Sequence, residues 1–448
     1  MAIGAEQTAS EGVTPASWFR RLAGVAARPA LDRPVVPGIV AAVVGTVFVL
    51  ARLAVAGHGK IATFVVAGTM YANPAKVPAG LPVRPGGGYD GQFYYRMALD
   101  PLDLARTAFG IRLDAISRLG RIGYPAISWL LAFGHASFVP SSLVVVNVLA
   151  LALLGVAGGA LVRGSGHHAL AGLIFPAYWG YLWTMSRDLT ELVTAAFLVG
   201  GVVALRRGSV LWATVLLTGA VLSKETAVVF VAVYGLSRLQ SMVRRHDRLP
   251  PGRADAVWIV PGVAYVAWQS VAVGASGKFP LISSSGHNLT LPFTGFVPAL
   301  GHYVARLPST ASLLWCGELA VLVIVTVATA VTVGRGLVPR YELWAWCAFI
   351  LELAVAARGI WFGDVGFRSF DDLYLFGWIL MFPPLAPVGA AATGSAVAGV
   401  PAGSPGRDQD PMAEPGPARP RGLDWRRPVA AIVACTWLVV AVELVKFI

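Results

Sequence analysis

The chain has 448 residues, of which 56% are hydrophobic and 13% are charged, and its mean hydropathy is +0.68. These values lie well outside the range of ordinary soluble domains, so a soluble protein is excluded. The net charge of +12 comes largely from arginines at the ends of apolar stretches. That distribution fits membrane orientation and contact with anionic lipid headgroups, and it argues against a nucleic-acid partner.

The N-terminal segment, residues 1–35, is rich in arginine and precedes the apolar stretch Val36–Ala56. This stretch is too long for the core of a signal peptide, so we expect it to remain as the first transmembrane helix. A cytoplasmic basic N-terminus then places residues 57–120 in a long extracytoplasmic loop. The excess of Arg over Lys, with abundant Ala, Gly and Val, suggests a bacterial chain in the plasma (inner) membrane.

Further apolar stretches have about the length of a membrane-spanning helix, and such stretches must be helical because unpaired backbone groups are costly in hydrocarbon. They are Ser141–Val162, His168–Met185, Thr190–Leu205, Val210–Leu222, Thr226–Gln240, Ala254–Gly274, Ser312–Val333, Tyr341–Ala357, Leu373–Val388 and Arg427–Phe447. The predicted fold is therefore an all-α polytopic membrane protein with about 11 transmembrane helices.

A shorter stretch, Tyr124–Phe138, is predicted to be a re-entrant or interfacial helix. Counting it as a full span would place Arg206 and Arg207 outside, against the positive-inside tendency. A true span here, with another stretch demoted, stays open as the alternative. Residues 241–392 hold additional helices with outside loops at 275–309 and 358–371. A disordered cytoplasmic linker at 393–426 precedes the last helix, 427–448.

The most informative motif of the first loop is a run of three glycines followed by Tyr89-Asp90-Gly91 and by an aromatic segment that contains Gln92, Tyr94 and Arg96. The glycines free the backbone, and the aromatic segment is predicted to be a helix that lies on the bilayer surface. This arrangement would hold the Asp90 carboxylate at the mouth of a membrane cavity. The alternative is an Asp-Gly turn with aromatic anchors.

Other charged side chains lie at the ends of predicted spans, where ionisable groups are costly and often functional. They are Arg187, Asp188, Glu191, Lys224, Glu225, Asp364, Arg368, Asp371 and Asp372, and Arg118 and Arg121 flank the predicted non-spanning helix. Each neighbouring pair taken alone can be a structural ion pair or a helix boundary. The predicted topology, however, places all of them on the same membrane face as Asp90, where bases can hold a phosphate while acids bind hydroxyls.

In its order of elements the chain resembles the GT-C glycosyltransferases that use polyprenyl-phosphate sugars, which include protein O-mannosyltransferases and the aminoarabinose transferase of lipid A. The resemblance covers roughly residues 36–240, the predicted catalytic module. It rests on one span, a long loop with an acid, the re-entrant Tyr124-Pro125, and Ser223-Lys224-Glu225 at the outer end of a span. Where the family often has a second acid, Gly91 follows Asp90, so no metal ligands are predicted and a divalent-cation requirement stays open.

The resemblance implies transfer of a sugar from a polyprenyl phosphate to a glycan, lipid or protein acceptor, with inversion and with Asp90 as general base. The donor phosphate or lipid headgroup would contact Arg368, Lys224, Arg187, Arg118 or Arg121, of which Arg368 is favoured. Supporting or acceptor-binding roles fall to Tyr89, Gly91, Gln92, Tyr94, Arg96, Asp188, Glu191, Glu225 and Asp372. A multi-pass transporter or lipid-linked glycan flippase is the alternative function, and a non-catalytic membrane scaffold is a third.

Overall fold

A computed structural model of the protein describes residues 29–245, 252–281, 283, 288–334, 338–362 and 366–385. Several predicted features lie outside the described residues: most of the basic N-terminus, Asp364, the whole of the linker 393–426 and the last helix 427–448.

The described chain is predominantly helical. In chain order its α-helices are α1 Val35–Val55, α2 Gly91–Leu99, α3 Gly123–Leu131, α4 Val139–Gly164, α5 Gly180–Met185, α6 Glu191–Arg206, α7 Val210–Ser223, α8 Ala227–Arg245, α9 Ala256–Ser276, α10 Phe296–Val304, α11 Thr310–Val333, α12 Arg340–Val355, α13 Arg358–Trp361 and α14 Asp371–Met381. Two small sheets lie in the first loop, and they pair β1 Ala67–Gly68 with β2 Val83–Arg84 in parallel and β3 Thr107–Ala108 with β4 Ile111–Arg112 antiparallel.

Four helical segments of the described chain are long and apolar enough to cross a membrane: Val35–Val55, Ala136–Gly164, Arg253–Ser276 and Thr310–Val333. The prediction of a mostly helical membrane protein is therefore confirmed. The count of about 11 spans stays a prediction, because several of the other helices are shorter than a bilayer core requires if they run straight.

Glycines bring the first two long helices, α1 and α4, into close contact. A Cβ atom on Gly155 would lie 2.7 Å from the backbone oxygen of Pro37, and one on Gly159 would lie 2.9 Å from that of Pro34. A Cβ on Gly38 would lie 2.7 Å from the backbone oxygen of Ala152. Small residues at helix interfaces are the usual means of association in membranes, where lipid removes the hydrophobic drive between helices.

The stretch His168–Met185 was predicted to be one continuous helix, and this prediction is wrong. It consists of a 3₁₀ helix at Ala169–Ile174, a turn that contains Pro176, and the six-residue α5. The stretch still runs along α1, because the Ala169 backbone N–H donates to Asp32 Oδ1 (2.8 Å) before the start of α1, and Met185 packs against Gly45 in the middle of that helix. It is a broken segment that passes through the bundle.

The helix α3 has nine residues and a length of about 14 Å, well short of a bilayer core. This length agrees with the predicted non-spanning helix at Tyr124–Phe138. A 3₁₀ helix at Ala136–Phe138 then leads into α4.

The sequence predicts that the aromatic helix α2 lies on the bilayer surface, and this prediction is wrong. All nine of its residues are buried in the protein. Its Tyr94 ring packs edge-on against Tyr124 of α3 (centroids 6.1 Å apart), and its Phe93 ring packs in the same way against Tyr71 of the loop (5.4 Å). The first loop therefore folds over α2 and covers the aromatic side chains that the sequence suggested were anchors.

Side-chain contacts define two ends of the bundle. At the first, which we call the Arg206 end, Arg206 pairs with Glu342 (Nη2–Oε2 2.6 Å) and donates to the Phe382 backbone oxygen, which also accepts from Ser165. This end therefore gathers the ends of α4, α6 and α14 with the start of α12. At the other, the Asp90 end, the first loop meets the ends of α7 and α12 and the starts of α6, α8 and α14.

We predict that the two ends face opposite sides of the membrane, with the Asp90 end outside. In a chain without native thiols (Cys316→Ser, Cys347→Ala, Cys435→Ala), cysteines are introduced at Leu102, which is 79% exposed in the first loop, and at Arg207, which is exposed after α6. A membrane-impermeant maleimide should label position 102 in intact spheroplasts and position 207 only after permeabilisation.

Labelling of both positions from one side would contradict the assignment of the two ends to opposite faces. A reversed pattern would contradict the predicted orientation alone.

Candidate functional site

Asp90 precedes the first residue of α2, yet its side chain makes no capping hydrogen bond to that helix. Its carboxylate instead accepts from two arginines of distant segments. Arg118 Nη2 lies 2.8 Å from Oδ1, and Arg368 Nη2 lies 2.9 Å from Oδ2. Each arginine lies on a short 3₁₀ helix, Ile116–Gly120 for the first and Gly366–Phe370 for the second. The Asp-Gly turn alone does not account for a carboxylate in this position.

Each of these arginines also contacts a second acid. Arg118 donates from Nε and Nη2 to the two carboxylate oxygens of Asp114 (3.0 and 2.9 Å), and Arg368 Nη1 lies 3.4 Å from Glu191 Oε1. The side chains of Asp90, Arg118 and Arg368 are only 14–18% exposed. Three acids and two arginines therefore form one continuous, largely buried network.

The arginines fix the protonation state of Asp90. Burial alone would raise the pKa of this carboxyl, but the charges of Arg118 and Arg368 outweigh burial and hold the pKa well below its usual value. Asp90 is therefore ionised at neutral pH and throughout the mildly acidic range. In this state it is a strong hydrogen-bond acceptor and a weak base.

Tyr89 gathers two of the predicted phosphate-binding cations. The guanidinium carbons of Arg187 and Arg368 lie 5.2 and 5.1 Å from the centre of its ring. Arg187 also stacks on Trp183, at 3.2 Å from the ring centre. Aromatic faces attract cations in this geometry, so Tyr89 brings both guanidinium groups to its ring, and of the two Arg368 also contacts Asp90.

Gly91 and Gln92 explain how the glycine-rich loop reaches this position. A Cβ on Gly91 would lie 2.1 Å from the backbone oxygen of Arg187, so only glycine permits this approach. The Gln92 side chain accepts from the Gly68 N–H (3.1 Å) and donates to the Gly87 oxygen (2.9 Å), which ties β1 to the glycine run. These two residues fix the position of the backbone around Asp90 and contribute no charge to the site.

Arg121 forms a second ion pair at the same end of the bundle. Its Nε lies 2.7 Å from Glu225 Oε2, and its Nη1 donates to the Tyr94 hydroxyl (2.9 Å). Burial alone would raise the pKa of Glu225, but Arg121 lowers it to about 2.

Lys224 forms a third group with the acids at the start of α14. Its Nζ lies 3.0 Å from Asp371 Oδ1 and 4.0 Å from Asp372 Oδ2, and all three side chains are at most 5% exposed. The charged clusters that the predicted topology placed on one face thus meet at one end of the bundle, because Lys224 follows α7 and Asp371 begins α14.

Two predicted site residues do not join these contacts. Arg96 is buried, donates to the Ala105 backbone oxygen and pairs with Asp103 (3.7 Å), so it holds the first loop together. Asp188 is buried in a left-handed backbone conformation (φ +51°), and burial raises its pKa well above the usual value despite the charge of Arg52 on α1. It faces α1 and not Asp90.

A cavity of about 470 Å³ adjoins the network at the Asp90 end. Arg121, Lys224 and Glu225 line one side of it, and Ser369 and Phe370, which directly follow Arg368, line another. The two 3₁₀ helices that carry the arginines of Asp90 therefore border the cavity wall. Most of the remaining lining is apolar.

Sequence reasoning missed two acids of this region, Asp114 and Glu352. Asp114 lies within the first loop, away from the span ends that drew attention, so no local signal marked it. Glu352 lines the cavity from α12, inside the predicted span Tyr341–Ala357. Its position within an apolar stretch is a signal from which it could have been found.

Among the described residues, no group of three or more His, Cys, Asp or Glu side chains is arranged to hold a metal. The carboxylates of Asp90, Glu225 and Asp371 face arginine or lysine instead.

The chain was compared with protein-family models, with curated proteins and with solved structures, and it matches none of them.

We predict that Gly91→Ala destabilises the site, whereas Gly87→Ala does not. The new Cβ at position 91 would meet the backbone oxygen of Arg187, which a side-chain rotation cannot relieve, while one at position 87 would meet no described atom within 4 Å. Overpacking of this kind costs about 1–3 kcal/mol. Thermal unfolding of the two purified variants in detergent, followed by tryptophan fluorescence, should show a lower melting temperature for Gly91→Ala alone. Equal melting temperatures would contradict the close approach.

Proposed function

We propose that the chain is an integral-membrane glycosyltransferase of the GT-C type, which moves a sugar from a polyprenyl phosphate to an acceptor hydroxyl at the Asp90 end. The proposal includes about 11 spans, a bacterial plasma-membrane location and an extracytoplasmic Asp90 end. The observation that carries it is the ionised Asp90 carboxylate, which is bound by arginines of two distant segments that border a cavity in an apolar helical bundle.

A lipid-linked donor suits these surroundings. Its isoprenoid tail stays in the bilayer, so the protein needs a site only for the sugar and one phosphate. Arg368 and Arg187, both next to Tyr89, are the cations best placed for the phosphate. Lys224 is less suited, because its side chain is 5% exposed against 14% for Arg368. Arg121, which is paired with Glu225 as Arg368 is paired with Asp90 and Glu191, stays a second candidate.

In the proposed reaction the acceptor oxygen attacks the anomeric carbon, and the bond between that carbon and the phosphate oxygen breaks. The electron pair of this bond leaves with the polyprenyl phosphate, and the configuration at the anomeric carbon is inverted. The proton of the acceptor hydroxyl passes to Asp90. The arginines stabilise the negative charge that develops on the leaving phosphate.

The low pKa of Asp90 is compatible with a role as general base, because one of the two arginines that lower it, Arg368, is also a proposed ligand of the donor phosphate. Without donor, Arg118 and Arg368 both suppress the basicity of the carboxylate. A donor phosphate that draws Arg368 to itself removes one of these two cations from Asp90, so the carboxylate becomes a stronger base once the donor is bound. Donor binding thus prepares proton transfer, and Asp90 stays inactive when the site is empty.

We predict that Asp90→Asn abolishes transfer and that Asp100→Asn, an exposed acid of the same loop, preserves it. General-base help is worth about 10²–10⁴ in rate, and the amide cannot accept the proton. Purified protein is incubated with radiolabelled polyprenyl-phosphate sugars and membrane extract, and label in saccharide, lipid or protein products is measured.

Near-normal turnover by folded Asp90→Asn protein would remove Asp90 from the general-base role. Wild-type protein that carries label across proteoliposomes without forming a new glycosidic bond would favour the transporter or flippase instead.

We further predict that Arg368→Ala raises the KM for the donor by about tenfold or more, because hydrogen bonds to a charged group are worth about 1.5–3 kcal/mol. Arg106→Ala, an exposed arginine of the first loop, is the matched control. Initial rates at varied donor concentration measure the effect. Unchanged KM and kcat in Arg368→Ala would exclude Arg368 from the phosphate site.

A further inference from the structure

The cavity at the Asp90 end has a charge pattern that the proposed transfer does not explain. Its lining includes two bases, Arg121 and Lys224, and two acids, Glu225 and Glu352. Asp371 and Asp372 lie directly behind Lys224. The cavity and its immediate support thus hold four carboxylates against two bases.

Both bases are already neutralised. Arg121 binds Glu225 through two nitrogen atoms, with Nε at 2.7 Å and Nη2 at 2.5 Å from the carboxylate oxygens. Lys224 lies 3.0 Å from Asp371 and is 5% exposed. An anionic ligand in this cavity would have to displace one of these buried acids, and breaking such a pair leaves an uncompensated charge.

Glu352 stands apart from these pairs. It lines the cavity from α12, and among the described residues it makes no ion pair and no side-chain hydrogen bond. Lys224 lines the same cavity, but its ammonium group is held by Asp371 at 3.0 Å. A carboxylate without a partner in an apolar helical segment is costly, and such groups mark ligand sites in membrane proteins.

The rest of the lining suits a hydrocarbon chain. Val229, Leu281, Leu289, Leu351, Val355 and Ile360 supply apolar surface around the polar patch. Leu281, Leu289 and Leu351 are themselves 41%, 52% and 61% exposed, so this apolar lining continues to the outer surface of the bundle. A ligand can therefore place a head at Glu352 while its tail extends over these side chains.

We propose that this cavity binds an amphiphile whose head carries a primary ammonium group, which Glu352 holds as its counter-ion. Charge complementarity selects this chemistry, because the cavity offers one unpaired acid and no unpaired base among its described lining residues. The site is distinct from the arginines next to Asp90, which favour a phosphate. The amine can be carried by a sugar or by a phosphoethanolamine head, and the ammonium group is the chemistry that the two share.

The test is equilibrium binding of radiolabelled dodecylamine to the full chain in nanodiscs of phosphatidylcholine, which contains no primary amine. Empty nanodiscs correct for partition into lipid. We expect saturable binding to the wild type and competition by unlabelled dodecylamine. Dodecanol and dodecyl phosphate, with the same tail, should compete at least about tenfold more weakly.

Glu352→Gln keeps the size of the side chain and removes its charge, so it should weaken dodecylamine binding by about tenfold or more. Asp100→Asn, an exposed acid that does not line the cavity, should bind as the wild type does. Val229→Trp fills the cavity without changing charge and should abolish binding. If Glu352→Gln fails to fold, the relative strength of the three competitors on wild-type protein still tests the proposal.

Equal affinity in folded Glu352→Gln, or stronger competition by dodecyl phosphate than by dodecylamine, would overturn the proposal. Competition by a dodecyl glucosaminide against a dodecyl phosphoethanolamine then distinguishes the two sources of the amine. None of these measurements requires sugar transfer, so a failure here is separate from a failure of the proposed function.

Discussion

The contacts of the Asp90 carboxylate with Arg118 and Arg368 determine how this end of the protein is assembled. Through these arginines the start of α2 is joined to Asp114 in the first loop and to Glu191 at the start of α6. Removal of one member would leave its buried partner with an uncompensated charge. This costs more free energy than replacing the whole ion pair by apolar side chains. The long first loop is thereby fixed to the helical bundle and is not a free segment.

Backbone geometry makes that network reachable. Gly91 lets α2 begin against the backbone of Arg187, and the positive φ angles of Gly86 and Gly88 turn the chain just before Asp90. A side chain at Gly91 would push α2 away from the residues that follow α5. The charged contacts therefore depend on residues that carry no charge, because these glycines set where the backbone of Asp90 lies.

Sequence reasoning identified Asp90 and placed it with the charged clusters at one end of the bundle, because helix parity and the distribution of arginines carry that information. It did not identify partners, since the contact between Arg368 and Asp90 joins residues 278 positions apart and depends on the tertiary fold. Hydropathy predicted His168–Met185 as one helix because it averages over residues and does not register the break near Pro176. The aromatic residues of α2 suggested a bilayer surface, whereas the folded loop buries them.

Two short 3₁₀ helices lie between the arginines at Asp90, where we propose that a phosphate binds, and the cavity, where we propose that an ammonium group binds. Ile116–Gly120 carries Arg118 to Asp90 and leads directly to Arg121 at the cavity, and Gly366–Phe370 carries Arg368 to Asp90 while Ser369 and Phe370 line the cavity. On one side arginines gather next to Tyr89, and on the other the unpaired acid is Glu352. Under the two proposals, an anionic group and a cationic group therefore bind at once without competing. Because the same two segments border both sites, a ligand that moves either segment changes the other site as well.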